Sequence, residues 1–224
     1  MLGGSDVSIE RTATAILSKA SHRRPSNPKW RLTMNIQQRT RARIAGLALL
    51  AIVFAGPAYS SDELNQQLFE FVSYNEPAEI SRLIKEGADP NHMVTGIPVI
   101  TLAASTSSLD AIKALLAGGA DPNARDEYGK TVLMYAAEIG EINVIKILLE
   151  NKADPNLKQE GSGDTALLKL LNGSPTVELI TVLLDGGADV NLADDSGLTP
   201  LASAELHTAP PEVVELLTAR SKGN

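Results

Sequence analysis

The sequence contains no cysteine. Disulfides, thiolate metal sites, a cysteine nucleophile and a lipidated N-terminal cysteine are excluded together. Aromatic residues make up only 4% of the chain, so a core must be built from the Leu, Ile, Val and Ala that dominate its 43% apolar content. Histidine occurs three times, at His22, His92 and His207. These are far apart in sequence, with no His-x3-His and no Glu-flanked pair, so no metal or other cofactor is expected. Basic charge is scarce after residue 60. Residues 1–60 hold nine Lys/Arg and two Asp/Glu, whereas residues 61–224 hold eleven and twenty-five. The balances are +7 and −14, which together give the net −7 of the whole chain. A surface this acidic repels phosphate backbones and anionic lipid, so nucleic acid is excluded as a partner and a partner with a basic surface is favoured.

Long apolar runs are also missing, with one short exception. Ile44–Gly56 reads IAGLALLAIVFAG, thirteen positions without a charge, preceded by Arg39, Arg41 and Arg43. Ala58, Tyr59 and Ser60 follow it. A basic segment, a short apolar run and small residues at a cleavage point are the parts of a secretory signal. A spanning helix needs about 20 apolar residues, so no stable membrane anchor is expected once the signal is cut. We assign 34–60 to the signal, with cleavage within about two residues of Ser60, and expect a periplasmic or secreted mature protein. Residues 1–33 are polar and basic, with no apolar periodicity. Met34 would start a signal of ordinary length, so 1–33 reads as an extension outside the native chain.

The rest of the chain repeats itself. EGADPN ends at Asn91, GGADPN at Asn123, NKADPN at Asn156 and GGADVN at Asn191. The aspartates Asp89, Asp121, Asp154 and Asp189 are spaced by 32, 33 and 35 residues. A second phrase runs in phase: GIPVITLAA from Gly96, GKTVLMYAA from Gly129, GDTALLKLL from Gly163 and GLTPLASAE from Gly197. Between the phrases, Ile and Leu recur at helical spacing, as at Ile142, Ile145 and Leu148. Recurrent phrases at this period resemble ankyrin repeats. The resemblance covers about residues 62–217, by the repeat-reading rule, and implies an all-α ankyrin-repeat solenoid of about five helix-turn-helix units with short β-hairpin-like fingers. The expected units are 62–91, 92–123, 124–156, 157–191 and 192–217, with 218–224 as a polar tail. The irregular spacings fall in loops: one residue is added in the finger before Gly163, and another in NGSPT at 172–176.

Each unit has a physical reading. Thr131, Thr165 and Thr199 are expected to N-cap first helices, with Pro200 at its favoured first position and Pro98 a weaker start. Ala103–Ala104 and Ala136–Ala137 are small enough for first helices to approach closely. Leu64, Leu68 and Phe71 form the inner stripe of a first unit that lacks a finger. The Gly-Ala-Asp-x-Asn phrase sits at a helix end, where the dipole repels anions, and lacks the Lys-Ser/Thr of a phosphate loop. Its aspartates form a ladder spaced by the stacking of units, unlike the cluster of six to eight oxygens that calcium needs. Local hydrogen bonding that fixes the loop is their expected role. Gly119 is expected in the left-handed conformation that ends a helix, and Lys152 occupies the same place in its unit.

GSGD at 161–164 lacks the second glycine and the preceding strand of a nucleophile elbow. No catalytic residues are assigned, and no small-molecule substrate is expected. The resemblance instead implies recognition of another protein through finger tips and the exposed side of the first helices. The residues that fall there are Val94, Thr95 and Ile97; Glu127, Tyr128 and Lys130; Glu138 and Ile139; Ser162 and Asp164; and Asp195 and Leu198. Tyr128 is the expected anchor, since interface aromatics carry disproportionate energy. Two roles fit such an exported binding module. One is an immunity-type inhibitor of a toxin. The other is an accessory or protective partner of an envelope enzyme, for instance in stress defence.

Overall fold

The computed structural model describes residues 59–222. The proposed extension at 1–33, and the signal segment except Tyr59 and Ser60, lie outside the described residues. Ten helices form five antiparallel pairs among the described residues. These are α1 (Ser61–Ser73) with α2 (Pro77–Glu86), α3 (Val99–Ser105) with α4 (Leu109–Ala117), and α5 (Val132–Ile139) with α6 (Ile142–Glu150). They continue with α7 (Ala166–Leu171) and α8 (Val177–Asp185), then α9 (Pro200–Leu206) and α10 (Pro211–Ser221). The first helices α1, α3, α5, α7 and α9 pack in series, and so do the second helices. The result is an all-α ankyrin-repeat solenoid.

The helix starts follow from the expected threonines. The Thr131, Thr165 and Thr199 hydroxyls each accept a backbone N–H three residues on, from Met134, Leu168 and Ala202. Thr176 caps α8 in the same way. Pro98 precedes α3 without a side-chain cap bond, as its chemistry requires. The inserted residue at 172–176 lengthens the connection between α7 and α8 to five residues, against two between α5 and α6. It also leaves α7 shorter than α5.

The core is aliphatic. Ala103, Ala104, Ala136 and Ala137 are fully buried between neighbouring first helices. Leu115, Leu148 and Leu183 occupy equivalent fully buried sites on α4, α6 and α8. Burying each such leucine contributes about 1.5–3 kcal/mol, and only the stack provides that burial. Leu64, Leu68 and Phe71 are buried on α1, which closes one end. At the other end α10 runs to Ser221, four residues past the boundary expected at 217. The polar residues there still serve the fold: Arg220 Nη2 donates to Asp185 Oδ1 of α8 at 2.7 Å.

The glycines of the recurring loop have separate reasons. Gly119 has φ +95°, and Gly87 and Gly187 share this positive φ. Gly118 has an ordinary φ and packs closely, since a Cβ there would lie 2.5 Å from Ile84 Cδ1 of the preceding unit and require that side-chain end to shift. Lys152 takes the left-handed conformation at φ +68°, as its place in the repeat predicts.

Candidate protein-binding face

The loops are joined by a ladder of side-chain bonds. Asn91 Oδ1 accepts the Asp121 N–H, Asn123 Oδ1 that of Asp154, and Asn156 Oδ1 that of Asp189, each at 2.7 Å. The same asparagines donate from Nδ2 to the carbonyls of Gly119, Lys152 and Gly187. Each aspartate accepts the N–H of the asparagine two residues on, for example Asn123 N to Asp121 Oδ1 at 2.8 Å. The aspartates therefore fix their own loops, as expected, and the asparagines fix the next one. Among the described residues no ladder loop precedes the first unit, and Asn65 of α1 supplies its rung to the Asp89 N–H at 2.7 Å. Among the described residues no group of three or more His, Asp or Glu is placed to hold a metal.

The fingers are held differently. The first is a hairpin of β1 (Met93–Val94) and β2 (Ile97–Pro98), turning at Thr95–Gly96 with φ +50° and +81°. The second is organised by Asp126, a residue that was not among the expected site residues. Its Oδ1 accepts the N–H groups of Tyr128 and Lys130, and its Oδ2 accepts the Tyr135 hydroxyl at 2.8 Å. Burial first, and then the Asp126 carboxylate, push Tyr135 up to about 12. Asp194 does the same work in the last finger for Ser196 and Leu198. The Ser196 hydroxyl and the Leu198 N–H hold its carboxyl below the ordinary range. The signal for both was present as Asp-x-x-Gly-x-Thr, at Asp126–Thr131 and Asp194–Thr199. In the third finger Gln159 stands at that position, and its Oε1 is buried without a hydrogen bond.

Neighbouring fingers are stitched together. Glu127 N donates to Gly96 O at 3.2 Å, and Asp195 N to Ser162 O at 3.1 Å. Arg125 Nη1 donates to the carbonyls of Gly129 and Lys158. Lys158 reaches Asp195 Oδ1 at 3.4 Å.

The expected contact residues therefore divide into two groups. Lys130 is not a free tip: it lies over the Tyr135 ring, 3.8 Å from the centroid, and pairs with Glu138. Asp164 is 15% exposed and bound to Lys169 at 2.7 Å. Ser162 is half-buried, and its hydroxyl accepts the Asp164 N–H. Val94 and Leu198 are half-buried, and the Leu198 N–H donates to Asp194 Oδ1. Asp195 is exposed but shared with Lys158. The outward group comprises Thr95, Ile97, Glu127, Tyr128 and Ile139. Tyr128 is 65% exposed and Ile139 50%. Met93, also outside the expected set, adds an exposed apolar side chain to the first finger, on the hairpin face opposite Ile97.

The stacked pairs define a helical-repeat solenoid, and three of its exposed large apolar or aromatic side chains, Met93, Ile97 and Tyr128, stand on fingers. Residues 68–159 match the family model described as ankyrin repeats (3 copies). A mitochondrial disaggregase of Homo sapiens is 36% identical over 87 residues, which are 37% of this chain and 12% of that protein. The match therefore spans about an eighth of the length of that relative. Residues 68–159 thus match ankyrin repeats, a type of repeat that in general serves as a non-enzymatic interaction module.

Proposed function

We propose that the chain is exported through the signal at 34–60 and binds another protein, one with a basic surface, through the fingers at 93–97 and 127–128 and the end of α5. The observation that carries this is the setting of Tyr128. Its side chain points into solvent while its own N–H is fixed by the buried Asp126 carboxylate. A rigid exposed aromatic makes contact area at little entropic cost. Ile97 and Met93 supply apolar surface on the first finger and Ile139 at the far end of α5, and the −14 balance of residues 61–224 supplies attraction to a cation-rich target. An immunity-type inhibitor and an accessory partner of an envelope enzyme both use such a face. The identity of the captured protein separates these roles.

The test is capture from a periplasmic extract with the processed chain and with Tyr128→Ala. Truncating a central aromatic anchor costs about 2 kcal/mol or more, about 30-fold in affinity. Thermal stability should be unchanged, because the ring contacts solvent. Equal capture of the same partner by both proteins would place the binding face elsewhere.

A further inference from the structure

Two bonds near Ser60 have small residues one and three positions upstream, as a signal peptidase requires. For Ser60–Ser61 these are Ser60 and Ala58; for Ala58–Tyr59 they are Ala58 and Gly56. The sequence pattern alone does not separate the two, but the first helix does. Ser60 is the N-cap of α1. Its hydroxyl accepts the Glu63 N–H at 3.3 Å, and the Glu63 carboxylate accepts the Ser60 N–H at 2.9 Å. This reciprocal pair is a capping box. The Ser60 carbonyl also accepts the Leu64 N–H at 3.1 Å, the first turn of the helix.

A cut at Ser60–Ser61 would remove all three bonds from the mature protein. It would also put the new ammonium on Ser61, the first helical residue, where unpaired N–H groups already make the helix end positive. A cut at Ala58–Tyr59 keeps the three bonds and sets the ammonium one residue before the cap. We infer that the chain is processed at the Ala58–Tyr59 bond, so that the mature protein starts at Tyr59 and retains its capping box. The step is a hydrolysis: water adds across the peptide bond, leaving the Ala58 carboxylate and the Tyr59 amine. This rests on the export reading of 34–60, because without export no signal peptidase meets the chain.

The chain from Met34, which places the signal at the N-terminus, is expressed in a Gram-negative host, and its mature form is characterised by N-terminal sequencing and intact mass. A start at Tyr59 is expected. A start at Ser61 overturns this site and leaves export standing, whereas an unprocessed chain overturns export and the site with it. Two variants sharpen the result. Gly56→Asp removes a small residue that only the Ala58–Tyr59 bond needs, and should abolish the Tyr59 start. Ser60→Asp spoils only the Ser60–Ser61 bond and leaves a good N-cap residue in place. It should be processed as the wild type is and melt at the same temperature. The opposite pattern, with Ser60→Asp unprocessed and Gly56→Asp normal, overturns the assignment.

Discussion

The loops of the ladder and the fingers that follow them are neighbours in every unit, yet they are built differently. Four aspartate N–H groups meet an asparagine side chain at the same 2.7 Å, whichever unit they belong to. The fingers instead use a hairpin, two aspartate hubs and one glutamine position with an inserted residue. A bond repeated in each unit fixes the offset between units, and any unit that departs from it strains its neighbours. A finger has to satisfy only its own turn and one stitch to the next finger, which leaves its tip free to vary. The ladder carries the stack and the fingers carry recognition.

The contrast is most exposed where the fingers touch. Gly163 has φ +72°, and a Cβ there would lie 2.3 Å from Asp195 Oδ1 and 2.4 Å from Asp195 N. A side chain cannot be accommodated by moving only a flexible tip, because the backbone of the next finger is in the way. Gly163→Ala should therefore cost about 3 kcal/mol, the sum of left-handed strain and overpacking, and lower the melting temperature by about 8 °C. Gly161, two residues away, also has a positive φ but open space around it. Gly161→Ala should show the strain alone, about 1 kcal/mol. Equal losses in urea titrations of the two variants would mean that finger stitching contributes nothing to the stack.

The ladder gives the next largest effect. Asn123→Ala removes the acceptor of the Asp154 N–H and the donor to the Lys152 carbonyl together. A loss of about 2 kcal/mol is expected from two bonds across a unit boundary. Asn191 ends the related phrase GGADVN, but among the described residues its side chain supplies no rung to a later loop. Asn191→Ala should change stability by less than about 0.5 kcal/mol. Similar losses at the two positions, read from thermal or denaturant unfolding, would show that the asparagines act only within their own loops.

Much of this could be read from the sequence, for reasons that differ by element. The helix pairs were legible because apolar spacing and threonine caps are local signals, and Thr131, Thr165 and Thr199 all cap as their positions predict. The loop aspartates were half legible. Their bond to the asparagine two residues on is local, but the partner of that asparagine lies 30 to 33 residues away. Lys130 and Asp164 fall on fingers by register, but their side chains fold back onto Glu138 and Lys169. Register along a loop does not encode which way a long side chain turns. Asp126 is less legible: an acidic residue in a loop reads as solvated, and only the recurrence of its spacing to Thr131 at Asp194–Thr199 marks it as a hub.

The smallest effect comes from the one ladder loop that breaks the glycine rule. Gly87, Gly119 and Gly187 have φ of +112°, +95° and +96°, whereas Lys152 sits at +68°. A side chain has drawn that loop into the narrow left-handed basin open to L residues. Space is not the issue, since a Cβ at Gly119 or Gly187 would meet nothing within 4 Å. The Asn123 Nδ2 bond to the Lys152 carbonyl is 3.5 Å, longer than the 3.3 and 2.9 Å of its two counterparts. Lys152→Gly relieves about 1–2 kcal/mol of backbone strain but returns about 0.5–1 kcal/mol of entropy to the unfolded chain. The difference favours the variant by about 0.5–1 kcal/mol, or a melting temperature about 2 °C higher. A lower melting temperature would mean that the lysine side chain contributes more to the folded loop than its strain removes.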